Sequence, residues 1–365
     1  MVDNEIMDAV TPAASVDGFF YEVLTESLEA VHVRATEPAG WYLVSLMGGL
    51  TRKLEAGAAA AAEEQQRAEQ AKAGKVRVLA VTSLSAFLRL SKLGLGCADW
   101  PACYGQDLRR AQQGRPASDE AQAATALARL AHRITASTAL LLVITMLLIC
   151  LGSKPLFVRE GLMALALLAL ALFLAVLGWW SSTARVPAVA MGNLLGGFLM
   201  LALCVRLAVP ERGASMAGAR GMLVLAALLL TAQIALGGLT SASYAGLACS
   251  GWADCALGEA VQQSGWASLS PWREPVLGAT GGNPAGALAN SLHRHAALMV
   301  MLVLLPLAWA AWRHGRRRTA VLLLVLLAAQ IAAGMALSAL ALPLPLALLH
   351  NLLAAVLLAA VLSLA

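Results

Sequence analysis

The chain has 365 residues, of which 59% are hydrophobic and only 13% charged, with a mean hydropathy of +0.73. Soluble domains carry roughly a quarter charged residues, so a soluble globular protein is excluded and an integral membrane protein is expected. The formal net charge of +5 conceals a split: residues 1–75 hold 12 acidic and 6 basic side chains, and residues 76–365 hold 9 and 20, giving nets of −6 and +11.

Residues 1–75 read as an acidic, Ala-rich soluble prefix to which no motif assigns a role. Within it, GFFYEVLTESLEAVHVRAT has amphipathic helical spacing, with Phe19, Val23, Leu24 and Leu28 on one side. Pro38 and Gly40 break that pattern, and a second helical stretch is expected from Trp41 to Ala73.

Beyond Lys75 come eight apolar runs, at 76–96, 131–152, 161–181, 186–208, 221–243, 290–312, 319–341 and 344–365. A hydrocarbon core of about 30 Å needs about 20 helical residues, and lipid cannot solvate open backbone polar groups, so helices are expected throughout. No early apolar run with a cleavage site precedes them, so no cleaved signal peptide is expected. Basic residues gather before the first run (Lys72, Lys75, Arg77) and in alternate loops: Lys154 and Arg159, Arg212 and Arg220, then Arg313 and Arg316 to Arg318. The positive-inside rule makes these cytoplasmic, which places both termini in the cytoplasm of a bacterial-type inner membrane.

Residues 94–106, GLGCADWPACYGQ, and 246–258, GLACSGWADCALG, share G-L-x-C-x-x-W-x-x-C at a separation of 152 residues, each after an apolar run. GNLLGG at 192–197 and LHNLLA at 349–354 sit a few residues into their runs. Such self-similarity organises the chain. The expected fold is an all-α integral membrane protein of eight transmembrane helices, in two pseudo-symmetric parallel four-helix halves, 76–209 and 210–365.

Both C-x5-C pairs, Cys97/Cys103 and Cys249/Cys255, fall in loops placed outside, where each pair reads as a disulfide staple. A redox role is the alternative, because exposed disulfides are the labile ones. Zinc is disfavoured, since neither loop holds a histidine. Cys150 and Cys204, inside apolar runs, read as packing residues. Of six histidines, His32 and His314 fall in polar surroundings. His132 opens the second run as HRITAS, His293 opens the sixth as HRHAAL, and His350 lies five residues past Pro345. Ionisable side chains within a span are usually functional. Histidines facing one another in a bundle can ligate a haem iron from both sides, and His293 with His350 is the natural pair. His295, two residues from His293, faces away. In the first half the position equivalent to His350 is Asn193, a poor iron ligand, so His132 stands alone there.

GLGCADWPACYG, HRITAS, LGWWSSTARVP leading into NLLGG, QIALGGLTSASYAGLAC, LHRHAAL and PLPLALLHN, in that order over about 76–365, resemble the haem A synthase family of cytochrome oxidase assembly. The resemblance implies conversion of haem O to haem A, by oxidation of a porphyrin methyl group to a formyl in two hydroxylation steps. It implies haem b as a cofactor held by His293 and His350, a substrate haem addressed by His132 and residue 193, and an outer Cys pair that accepts haem or electrons. The sequence departs from the family at three points: Asn193 replaces a histidine, Arg129 replaces the glutamate of an E-x-x-H pattern, and the first run is short. From Arg77 to Cys97 is 20 residues, against 29 from Arg220 to Cys249.

Arg129, Arg133 and Arg294 lie beside possible haem ligands and suit bidentate pairing with a porphyrin propionate; the alternative for each is a snorkelling interfacial anchor. The implied partners are haem O and the synthase that supplies it, membrane lipid, an electron donor that no motif names, and a second copy of the chain, with no nucleic acid. A non-catalytic b-type haem protein of the same fold, used for electron transfer or haem handling, is the alternative function. A thiol oxidoreductase working with a quinone is weaker, because C-x5-C lacks the thiolate-tuning C-x-x-C spacing.

Overall fold

The computed structural model describes residues 78–116, 119–152, 158–181, 184–208, 217–249, 255–278 and 282–364, all within one unit, residues 71–365. The helices expected in the prefix, His32, Arg77, Lys154, Arg212 and Asp254 lie outside the described residues. Among the described residues every regular element is helical. In chain order these are α1 (78–92), α2 (Gln106–Gln112), α3 (Asp119–Gly152), α4 (Val158–Trp180) and α5 (Pro187–Ala208). They continue with α6 (Arg220–Ala242), α7 (Leu257–Ser264), α8 (Ala287–Arg313), α9 (Arg317–Ala339) and α10 (Leu344–Leu362).

Seven of them are long and apolar enough to cross a membrane: α3, α4, α5, α6, α8, α9 and α10. The chain is a multi-pass membrane protein. Six helices, α4, α5, α6, α8, α9 and α10, begin and end within three residues of the apolar runs expected for them. Two expectations change. The run at 76–96 is helical only over 78–92 among the described residues and then turns at 93–96, so an eighth span is not among those described. The second run begins its helix at Asp119 rather than 131, because the polar stretch DEAQAATALARL consists of good helix formers. His132 therefore lies well inside α3 and does not open it.

α6 packs on α8, α8 on α9, α9 on α10, and α10 back on α6. This closed ring places α8 across from α10 and α6 across from α9. α5 lies against α6 and α10 and carries α4, which in turn carries α3. One end of the ring is wholly apolar: Leu223 and Leu230 of α6, Leu304 and Leu307 of α8, Leu323 of α9, and Leu357 and Val361 of α10 are buried together. Lipid tails are as apolar as leucine, so close approach between helices decides packing here. Buried Ala226, Ala308, Ala311, Ala320, Ala355 and Ala359 permit it.

The opposite end is polar inside and capped by the loop that follows α1. Leu95, Tyr104 and Leu108 pack with Tyr244, which follows α6, and with Leu342 and Leu344 around the α9–α10 turn. Trp100 Nε1 donates to the carbonyl of Ala341 at 2.9 Å. Two glycines shape the loop. Gly94 has φ +98°, and a Cβ there would stand 2.6 Å from the Cys103 carbonyl oxygen. Gly96 has φ +84°, and a Cβ there would stand 2.7 Å from a methyl of Leu344. Only glycine meets both demands without strain. Trp100, Tyr104 and Tyr244 form a run of aromatic contacts at 5.4 and 5.6 Å. Burial pushes both phenols above their ordinary range, so they serve as neutral packing groups. Cys97–Cys103 and Cys249–Cys255 are disulfide-bonded, whereas Cys150 and Cys204 take part in no disulfide.

Candidate functional site

In the polar end of the ring, His293 of α8 and His350 of α10 face each other across the bundle, with ring centroids 6.4 Å apart and planes at 79°. A metal–nitrogen bond of about 2 Å, plus about 1 Å from nitrogen to ring centre, taken twice, gives about 6 Å. The pair is thus spaced for one metal ion between two imidazoles. Among the described residues no third His, Cys, Asp or Glu joins them, an arrangement suited to a metal whose remaining ligands come from a macrocycle.

Each imidazole is held by one glutamine and one glycine on a neighbouring helix. His293 Nδ1 donates to the backbone carbonyl of Gln233 at 3.1 Å, and Gln233 Nε2 returns a bond to the His293 carbonyl at 2.8 Å. This fixes the tautomer and leaves Nε2 as the ligand nitrogen. A Cβ at Gly237 would stand 2.7 Å from His293 Cε1. Gln330 Nε2 bonds His350 Nε2 at 3.2 Å, and a Cβ at Gly334 would stand 3.2 Å from His350 Cε1. Gln233 Oε1, Gln330 Oε1 and His350 Nδ1 are buried with no hydrogen-bond partner. Each such atom costs about 1–3 kcal/mol, and the three belong to the two facing imidazoles and the glutamines that hold them.

The two cradles share a sequence signature, which repeats within the second half: QIALGGLTS at 233–241 and QIAAGMALS at 330–338. Gln, Gly and Ser recur at i, i+4 and i+8, which puts them in one stripe of a helix. The serines complete the pattern. Ser338 Oγ accepts from Arg294 Nη2 at 3.0 Å, while Arg294 Nε donates to Asn290 Oδ1 at 3.0 Å and Nη2 to the Cys249 carbonyl at 3.1 Å. Ser241 Oγ accepts from Arg89 Nη1 at 2.9 Å, and Arg89 Nη2 donates to Asn351 Oδ1 at 2.9 Å. Arg89 and Ser241 are 152 residues apart, the separation of the Cys-loop repeat. His295, as expected, turns away and bonds the carbonyl of Ser291 at 2.8 Å.

The remaining expected site residues are not gathered this way. His132 and Asn193 are half-buried on α3 and α5, and no glycine cradle of the kind at Gly237 touches either ring position. Arg129 and Arg133 are exposed. Arg129 bonds back to its own helix, at Thr125 Oγ1 (2.7 Å) and the Gln122 carbonyl (2.6 Å). The first-half counterparts of the two cradle stripes are VTSLSAFLR at 81–89 and LAVLGWWSS at 174–182, with Val81 and Leu174 where the glutamines would be. Leu174 packs toward α5: a Cβ at Gly196 would stand 2.6 Å from its Cδ2.

The family model of cytochrome oxidase assembly proteins, COX15-CtaA, matches residues 74–362. The chain belongs to this family. Among its relatives is the heme A synthase of Shewanella oneidensis, 30% identical over 303 residues, which cover 76% of this chain and 88% of that protein. The cytochrome oxidase assembly family thus accounts for nearly everything after the prefix, and the matched region contains both His-bearing helices and both Cys loops.

Proposed function

We propose that this chain is a haem A synthase-like oxidoreductase of cytochrome oxidase assembly, which holds a b-type haem between His293 and His350 and takes haem O as substrate. The observation that carries the haem site is the facing pair at 6.4 Å, each ring set in its own Gln–Gly cradle. A bound haem supplies one-electron chemistry at its iron. The chain's own contribution is to present two imidazoles, that of His293 with its tautomer fixed by the Gln233 carbonyl, to shut water out beneath the Trp100–Tyr104 cap, and to offer Arg294 to a porphyrin carboxylate. The activity itself is carried over from the heme A synthase of Shewanella oneidensis.

The wider reading follows the same lines. The apolar run at 76–96 is read as an eighth span, the two halves as related by pseudo-symmetry, and residues 1–75 as a prefix of soluble composition. Both termini lie in the cytoplasm, and the Cys loops face the opposite side of an inner membrane. Haem O and its supplying synthase, lipid, an electron donor and a second copy are the partners this reading requires. His132, Arg129, Arg133 and Asn193 address the substrate haem, while the first Cys pair accepts haem or electrons.

A second reading has specific support. Asn193, Arg129, Val81 and Leu174 remove a ligand, a carboxylate and both supporting glutamines from the half assigned to the substrate, which favours a b-type haem protein that does not turn over. Co-expression with a source of haem O decides between them. Pigment extracts containing haem A support the synthase, and extracts with haem O alone and haem b bound normally establish the non-catalytic protein.

A further inference from the structure

Arg89 carries its positive charge into the polar end of a membrane bundle and meets only neutral acceptors there, Ser241 Oγ and Asn351 Oδ1. An arginine has five N–H donors and cannot shed its charge. Lipid and bundle interior oppose an uncompensated cation, and such groups are ordinarily paired. Among the described residues no carboxylate pairs with Arg89; Glu274, for example, pairs with Arg185 on an exposed loop. The guanidinium is also not at a random place. Ser241 lies one helical turn, about 6 Å, beyond Gly237, on the stripe that cradles His293, and Asn351 directly follows His350.

Arg294 repeats this arrangement on the other side of the histidine pair. It bonds a serine one turn beyond the His350 cradle and an asparagine on the His293 helix. Arg89 bonds a serine one turn beyond the His293 cradle and an asparagine on the His350 helix. The ring order fixes where each lies: Arg294 at the α8–α9 seam and Arg89 at the α10–α6 seam. A porphyrin of the haem b kind carries its two carboxylates on one edge, and Ser241 and Ser338 hold the two guanidiniums toward the capped end of the histidine pair, one at each seam and each backed by one Ser and one Asn.

We propose that Arg89, supplied by the first half, binds one propionate of the porphyrin seated between His293 and His350, as the counterpart of Arg294 at the other propionate. This rests on the haem-binding reading above and adds a binding residue from outside the half that holds the iron ligands. The carboxylate supplies the compensating charge that the described residues lack, and guanidinium–carboxylate pairing is the stronger, charge-assisted kind of hydrogen bond.

The test uses the full-length protein in detergent, with protohaem and its dimethyl ester as probes, the ester keeping the ring and iron while removing both carboxylates. Arg89→Gln is expected to release protohaem about tenfold faster than wild type, the loss of one charged hydrogen bond, with a bis-histidine spectrum unchanged in shape and a lower midpoint potential. Arg89→Lys should fall between them, since lysine keeps the charge without the fork. Release of the dimethyl ester should be the same in wild type and Arg89→Gln. A purely structural role predicts equal weakening of both probes, and that result overturns the proposal, as does an Arg89→Gln protein with wild-type release and potential. If Arg89→Gln does not fold, Arg294→Gln answers the same question. It should still prefer protohaem to the ester, and complete loss of that preference excludes any contribution from Arg89. A wild-type protein that binds neither probe through histidine overturns the haem-binding reading as well, so the two failures are distinct.

Discussion

On the two-halves reading proposed above, residues 76–209 and 210–365 carry similar histidine positions and do different things with them. His132, Asn193, His293 and His350 lie seven, six, nine and six residues into apolar spans that start at Thr125, Pro187, Pro284 and Leu344. In the second half both ligand positions are histidine and both are cradled. In the first half one is histidine, and the supporting stripes have lost both glutamines, one glycine to Ser85, and one serine to Arg89. The difference teaches that an imidazole at the right depth is the smaller part of such a site. What orients the rings is the glycine that leaves room for each and, at His293, the Gln233 backbone carbonyl that fixes the tautomer, and groups of that kind commonly govern affinity.

The contrast can be broken most sharply at the ligands. His350→Ala or His293→Ala should abolish the bis-histidine haem spectrum of the purified protein, whereas His132→Ala should leave it intact; a spectrum that survives His350→Ala would reverse the assignment of the halves. The glycines come next. Gly237→Ala forces the His293 ring aside, an overpacking cost of about 1–3 kcal/mol, so haem occupancy on titration should fall about tenfold or more. Gly178→Ala meets nothing within 4 Å, and occupancy should not change. Adding the missing ligand alone should have little effect: Asn193→His leaves Val81 and Leu174 in place, and haem-to-protein stoichiometry is expected to remain that of wild type. Smallest is the cap. Trp100→Phe removes the bond to Ala341 and should cost about 1 kcal/mol, read as a modest fall in thermal stability in detergent with the spectrum retained.

Much of this was legible from sequence, and the parts that were not have physical reasons. Apolar runs long enough to span a bilayer located most of the transmembrane helices because lipid leaves the backbone no other choice. The start of α3 was missed because its first turns are polar, and hydropathy does not register a helix that continues out of the apolar layer. His293 and His350 were legible as a pair from their residue type and position. Their cradles were equally present, as QIALGGLTS and QIAAGMALS, but a repeat between two helices of one half is masked by the stronger repeat between halves. Arg89 was legible only as an interruption of a short apolar run. Its partners lie 152 and 262 residues away, and no local pattern reports contacts of that separation.

The loop bearing Cys97 and Cys103 closes over the far end of the other half, and this bears on how the protein can be divided. A fragment beginning at residue 210, the natural cut by sequence repeat, keeps both iron ligands. It loses the Trp100–Ala341 bond, the Tyr104–Tyr244 contact and Arg89, and leaves the α9–α10 turn bare. A unit joining residues 78–116 to 217–364 would keep the cap and both guanidiniums but would strip Phe198, Leu201 and Ala202 of α5 from the core they share with α6, α8, α9 and α10. The surroundings of the histidine pair are therefore discontinuous along the chain.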